Sequence, residues 1–110
     1  MKVAVVGSRS LWVDRLEEFL PPQTTEIVTG GARGVDSCAM AYAETHGLKQ
    51  KVFWPDYEQY GKSAPLVRNR LIVDYADCVL AFWDGTSRGT VYTVQYARQQ
   101  GKPVRIFKSL

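Results

Sequence analysis

Apolar and polar positions along this chain follow two periods in turn. Val3 to Val6 is an unbroken apolar run ending at Gly7, the pattern of a strand covered on both faces. Trp12, Val13, Leu16, Phe19 and Leu20 then fall on one helical stripe, which stops at Pro21-Pro22 because proline has no amide hydrogen to continue it. Glu26 to Val28 predicts a second short strand. Val35, Cys38, Ala39, Tyr42 and Ala43 form a second helical stripe that closes at His46-Gly47, a sequence suited to a helix end. Lys51 to Phe53 predicts a third strand, Trp54 to Pro65 a loop holding Trp54, Tyr57 and Tyr60, and Leu66 to Tyr75 a helix before a fourth strand, Cys78 to Phe82. Gly89 to Gln100 carries Val91, Val94 and Ala97 at helical spacing, Gly101 caps it, and Val104 to Phe107 predicts the last strand.

Strands alternating with helices predict an α/β fold: one Rossmann-like, doubly wound sheet of about five mainly parallel strands with helices on both faces. A length of 110 residues suits a single domain over residues 1–110, with no room for a separate lid. Right-handed crossovers put every strand-to-helix loop at the same sheet edge. Three of those loops are unusual: Gly7-Ser8-Arg9-Ser10, Gly30-Gly31-Ala32-Arg33-Gly34, and Asp84 through Gly85, Thr86, Ser87, Arg88 and Gly89 to Thr90. Open sheets bind ligands beyond the carboxyl ends of their strands, where strand order reverses, so the loops are expected to converge on a site.

Glycine permits close backbone approach, and the first turn of a following helix offers unpaired N–H groups and the positive end of its dipole. Phosphate or carboxylate is the natural guest of such loops. Arg33 and Arg88 stand in two of them, Arg9 in the third, and Ser8, Ser10, Thr86, Ser87 and Thr90 add hydroxyls. Gly7 stands alone after the first strand, so the dinucleotide fingerprint is absent. In Arg68-Asn69-Arg70, residues two apart on a helix point to nearly opposite sides, so one arginine enters a cleft and the other faces solvent. Asp36, in the first turn of its helix, serves either as a dipole cap or as a ligand contact. Trp83, beside Asp84, is the aromatic best placed to stack on a base, while loop aromatics also pack beneath loops or at subunit contacts. Asp84 is the one carboxylate placed for acid–base work, with a ribose hydroxyl as its simpler partner.

Charge changes this picture little. Fourteen Lys and Arg against eleven Asp and Glu give a formal charge of +3, which suits a small anion and gives little for tracking a nucleic-acid backbone. No segment approaches the roughly 20 apolar residues of a membrane span, and the N-terminal run breaks at glycine too early for a signal peptide. A cytoplasmic protein with buried free thiols at Cys38 and Cys78 is expected. The single histidine, His46, sits near a helix end, and neither a metal-ligand cluster nor a Walker lysine is present. No cofactor, no metal and no catalytic residue is expected.

GSR after the first strand, TGGARGVD, YGKSAPLVRN and AFWDGTSRGT together resemble the YspA-type members of the SLOG superfamily, over nearly the whole chain. The resemblance implies a compact nucleotide-binding domain. With the loop reading, it gives candidate ligand-binding residues Gly7, Ser8, Arg9, Gly30, Gly31, Ala32, Arg33, Gly34, Asp36, Arg68, Asn69, Trp83, Asp84, Ser87, Gly89 and Thr90. The related Lonely Guy phosphoribohydrolases carry an arginine matched by Arg68, but Thr93 stands where they have a catalytic glutamate, and threonine has no carboxylate to act as acid or base. Ala32 to Asp36 and Arg68 to Arg70 are also similar to elements of the bacterial DNA-processing protein that loads recombinase on single strands. The expectation is a sensor or sequestering domain for a nucleotide-derived molecule, ADP-ribose-like or cyclic, assembled as a homo-oligomer. Nucleotide processing of the phosphoribohydrolase type is the alternative, and single-stranded DNA binding the second.

Overall fold

A computed structural model describes residues 1–108 of the chain. Five strands, β1 (Lys2–Gly7), β2 (Glu26–Thr29), β3 (Lys49–Val52), β4 (Cys78–Trp83) and β5 (Val104–Lys108), form one sheet in the order β3-β2-β1-β4-β5. Every neighbouring pair is parallel. The central pair is in register with Val5 beside Leu80 and Gly7 beside Phe82. This is the Rossmann-like, doubly wound α/β arrangement, with strand order reversing between β1 and β4.

Alternate residues of each central strand feed opposite layers. Val3 and Val5 of β1 join Ile27, Leu80 and Phe82 in a core covered by helix α1 (Val35–Thr45) through Val35, Ala39 and Ala43. Ala4 and Val6 join Val28, Val79 and Ala81 in a second core, covered by α3 (Ala64–Tyr75) through Ile72 and Val73, by Ala76 just past its end, and by α4 (Arg88–Gln99) through Val94 and Ala97. Helices therefore lie on both faces. Full burial of such a Val, Leu or Ile side chain contributes about 1.5–3 kcal/mol, so these two layers supply the drive that holds the loops in place.

The stripe from Trp12 to Leu20 does not form the expected helix. Only Leu16–Glu18 makes a turn of 3-10 helix. A nine-residue helix is marginal by itself, and here packing favours another path: Leu16 is buried in the α1 layer, and Phe19 sets its ring edge against Phe82 at 5.2 Å and Phe107 at 4.7 Å. The Cys38 thiol donates to the Val13 carbonyl at 2.6 Å, so that carbonyl is engaged by tertiary structure. Both cysteines are free and buried. The Trp54 to Pro65 loop contains a short helix, α2 (Tyr57–Tyr60), where the Asp56 carboxylate accepts from the Gln59 amide at 3.1 Å. No helix of the described residues is long and apolar enough to cross a membrane.

Candidate functional site

The three unusual loops meet at the carboxyl edge of the sheet, where β1 and β4 part. Between them lies a cavity of about 440 Å³, and ten of the candidate residues line it: Gly7, Arg9, Ala32, Asp36, Arg68, Asn69, Asp84, Ser87, Gly89 and Thr90.

The loop after β1 is tied directly to the loop after β4. The Ser8 amide donates to the Phe82 carbonyl at 3.0 Å, and the Ser8 hydroxyl accepts from the Asp84 amide at 3.1 Å. Ser8 is buried and joins the two loops without lining the cavity. Asp84 organises its own loop as an Asx turn: Oδ1 accepts from the Thr86 amide and the Ser87 amide, each at 2.8 Å, and from the Thr86 hydroxyl at 3.1 Å, while Oδ2 accepts from the Ser10 hydroxyl at 3.1 Å. The Thr86 and Ser87 amides, with the Ser10 and Thr86 hydroxyls behind them, hold the Asp84 carboxyl well below the usual carboxylate range. In this setting it is an ionised staple of the loop. The Ser87 hydroxyl caps α4 by accepting from the Thr90 amide at 3.4 Å. Space above Gly89 is open, with nothing within 4 Å of where a Cβ would stand.

TGGARGVD is a cradle, and its occupant is its own aspartate. Oδ2 of Asp36 accepts from the Gly30 amide at 3.0 Å and the Ala32 amide at 3.3 Å, so a side chain two positions into α1 takes two donors of the loop expected to hold a phosphate. Gly34, at φ 74°, brings its backbone against the carbonyls of Ser8 and Arg9, a left-handed conformation and an approach that a Cβ would block. Burial pushes the Asp36 carboxyl above its ordinary value, against the lowering effect of the two amides and of Arg68 and Arg9.

Arg68 is buried at 7% exposure and crosses from α3 to the glycine loop. One guanidinium nitrogen, Nη1, donates to the Gly30 carbonyl, and Nε donates to Asn69 Oδ1 at 2.8 Å. A guanidinium has five N–H donors, so others remain for the cavity. Burial pulls the Arg68 pKa down and neighbouring Asp36 pulls it back up. Arg70 faces solvent, as the helical spacing requires.

The remaining candidates lie behind or outside the cavity wall. Arg33 is exposed and does not line it; Arg9 and Arg68 are its cations. Gly30 sits beneath Arg68, and Gly31 beneath the ring of Trp54. Trp83 turns its indole N–H to the Ser87 carbonyl at 3.1 Å and supports the α4 start. Neither tryptophan lines the cavity. Five further residues do: Val6, Ser10, Pro65, Leu66 and Thr93. Pro65 and Leu66 lie one helical turn before Arg68 and Asn69, and Thr93 one turn after Thr90, so the three-residue spacing of a helix face pointed to them. The Thr93 hydroxyl donates to the Gly89 carbonyl at 2.9 Å.

No family model matches the chain, and no solved structure matches it significantly. The Gene 61 protein of Mycobacterium phage D29 is 34% identical over 119 aligned positions, which cover 94% of this chain and 93% of that protein. Identity at that level over almost the full length of both proteins places the chain in the family of the phage D29 Gene 61 protein.

Proposed function

We propose that this domain binds a nucleotide or nucleotide-derived molecule carrying phosphate, as a sensor or sequestering protein. The observation that supports it most is the cavity at the β1–β4 switch point, where Arg9, Arg68 and the uncrowded first turn of α4 at Gly89 face one space of about 440 Å³. That size suits a small ligand, and a helix start beside two cations favours an anion. With the Gly30 and Ala32 amides engaged by Asp36, the open first turn of α4 at Gly89 is the clearer seat for the phosphate. Pro65 and Leu66 give the opposite wall an apolar surface for the rest of the ligand.

A panel of nucleotides, ADP-ribose, cyclic nucleotides and oligonucleotides, read by thermal shift with chromatography of the recovered ligand, tests this reading. Mononucleotides or ADP-ribose should raise the melting temperature and be recovered intact. Free base or ribose phosphate would favour the phosphoribohydrolase alternative, and no shift with any ligand would remove the reading. Arg9→Ala should weaken binding about tenfold or more, the order of one charge-assisted hydrogen bond at about 1.5–3 kcal/mol. Arg33→Ala should leave it within about twofold.

A further inference from the structure

An anion held in this cavity meets a carboxylate already in the wall. Asp36 is 5% exposed; its Oδ2 is fixed by the Gly30 and Ala32 amides, whereas Oδ1 has no protein partner among the described residues and is not sealed from solvent. Resting on the anion-binding reading, we propose that Asp36 takes up a proton when the anion enters, so that Oδ1 becomes a hydroxyl and donates to an oxygen of the guest.

The surroundings of Asp36 pull in two directions, and burial wins. Arg68 approaches from α3 and Arg9 from the loop after β1, and both favour the ionised form; Tyr57 of α2 is close enough to Arg68 to favour its charged form. Asp84 lines the same cavity, ionised and held so by the Thr86 and Ser87 amides. Burial already outweighs the two arginines at Asp36. A second negative charge in the same space adds to that preference, since like charges disfavour joint ionisation. Sulfate, or a fully ionised phosphate ester, offers acceptors only. An ionised Asp36 would set lone pairs against lone pairs, while the neutral acid supplies the missing donor.

Sulfate is the probe, because its charge does not change between about pH 5 and pH 8 and the ligand's own titration stays out of the result. Calorimetric titration of the full chain at constant ionic strength, in two buffers of different ionisation heat, counts protons taken up. The expected result is uptake approaching one proton per sulfate, with Kd rising up to about tenfold per pH unit above the free protein's Asp36 pKa. Asp36→Asn keeps an acceptor for the Gly30 and Ala32 amides and places an N–H donor where Oδ1 stood. It should bind sulfate with a flat pH profile, and more tightly than the native protein at about pH 8. Native binding with no proton uptake and a flat profile would overturn the inference while leaving the anion site standing. No binding of sulfate or of any nucleotide at any pH would overturn both. The native proton count decides the question even if the variant does not fold.

Discussion

Asp84 is held by four hydrogen bonds although its side chain is near solvent, and its depressed pKa carries a definite sign for stability. A carboxylate whose folded pKa lies below its unfolded value of 3.8 stabilises the fold above that value and loses the contribution as pH falls through the folded pKa. Asp84→Asn should therefore be less stable than the native protein at neutral pH, and the gap should narrow as pH drops below about 3.8. Urea midpoints at about pH 7 and pH 3 check this; an unchanged gap would deny the charge-dependent part of the clamp. Asp36 has the opposite sign, because its pKa is raised: its contribution is full below 3.8 and is lost as pH rises through the folded value. The sequence put both residues at the site, but their roles were not equally legible in it. Asp84, two and three residues before the amides it holds, carried the local signal of an Asx turn, whereas a glycine loop followed by aspartate reads the same whether it holds a phosphate or its own side chain. Arg33 attracted notice by sitting within the glycines, yet the loop turns it outward, and Arg9 forms the wall in its place.

Between β1 and β2, the chain replaces an expected helix with an irregular strap, and its residues divide sharply by burial. Leu16 is fully buried beneath α1, whereas Trp12 is 60% exposed. Leu16→Ala should cost about 2–5 kcal/mol, the range for emptying a core leucine site, and Trp12→Ala should fall within about 0.5 kcal/mol. Chemical denaturation measures both, and comparable losses would mean that the strap packs differently. The parallel strands were legible because Val3 to Val6 and Cys78 to Phe82 are unbroken apolar runs that only a sheet covered on both faces accommodates. Trp12, Val13, Leu16, Phe19 and Leu20 share a helical period, but a period states only which residues can share a face. Contacts of Phe19 with Phe82 and Phe107 decide the path, and those partners lie more than sixty positions away. The short helix at Tyr57–Tyr60 had a local signal in Asp56, three residues before Gln59.

At the scale of the whole molecule, the sheet ends in two open strands, β3 and β5. Lys49 and Lys51 are exposed on one, Arg105 and Lys108 on the other. Edge strands with unpaired amides and carbonyls template pairing with other chains, and cations along them oppose it. Replacing Lys49 and Lys51 together with valine should increase self-association at a fixed concentration, with little change in the far-ultraviolet circular dichroism. Light scattering that matches the native protein would assign the protection to something other than those charges. The same architecture puts the cavity beyond the carboxyl ends of the inner strands β1 and β4, and neither Lys49 nor Lys51 lines it, so pairing at β3 can be altered without disturbing Arg9 or Arg68.

Asp36 filling the glycine loop has a kinetic consequence. With its Gly30 and Ala32 amides already engaged, that part of the wall is ordered during folding, and less ordering entropy at that loop is left for the moment of encounter. A guest meets a finished surface on one side, so the rate of capture should be set by diffusion and by the field of the two arginines rather than by the closing of the loop.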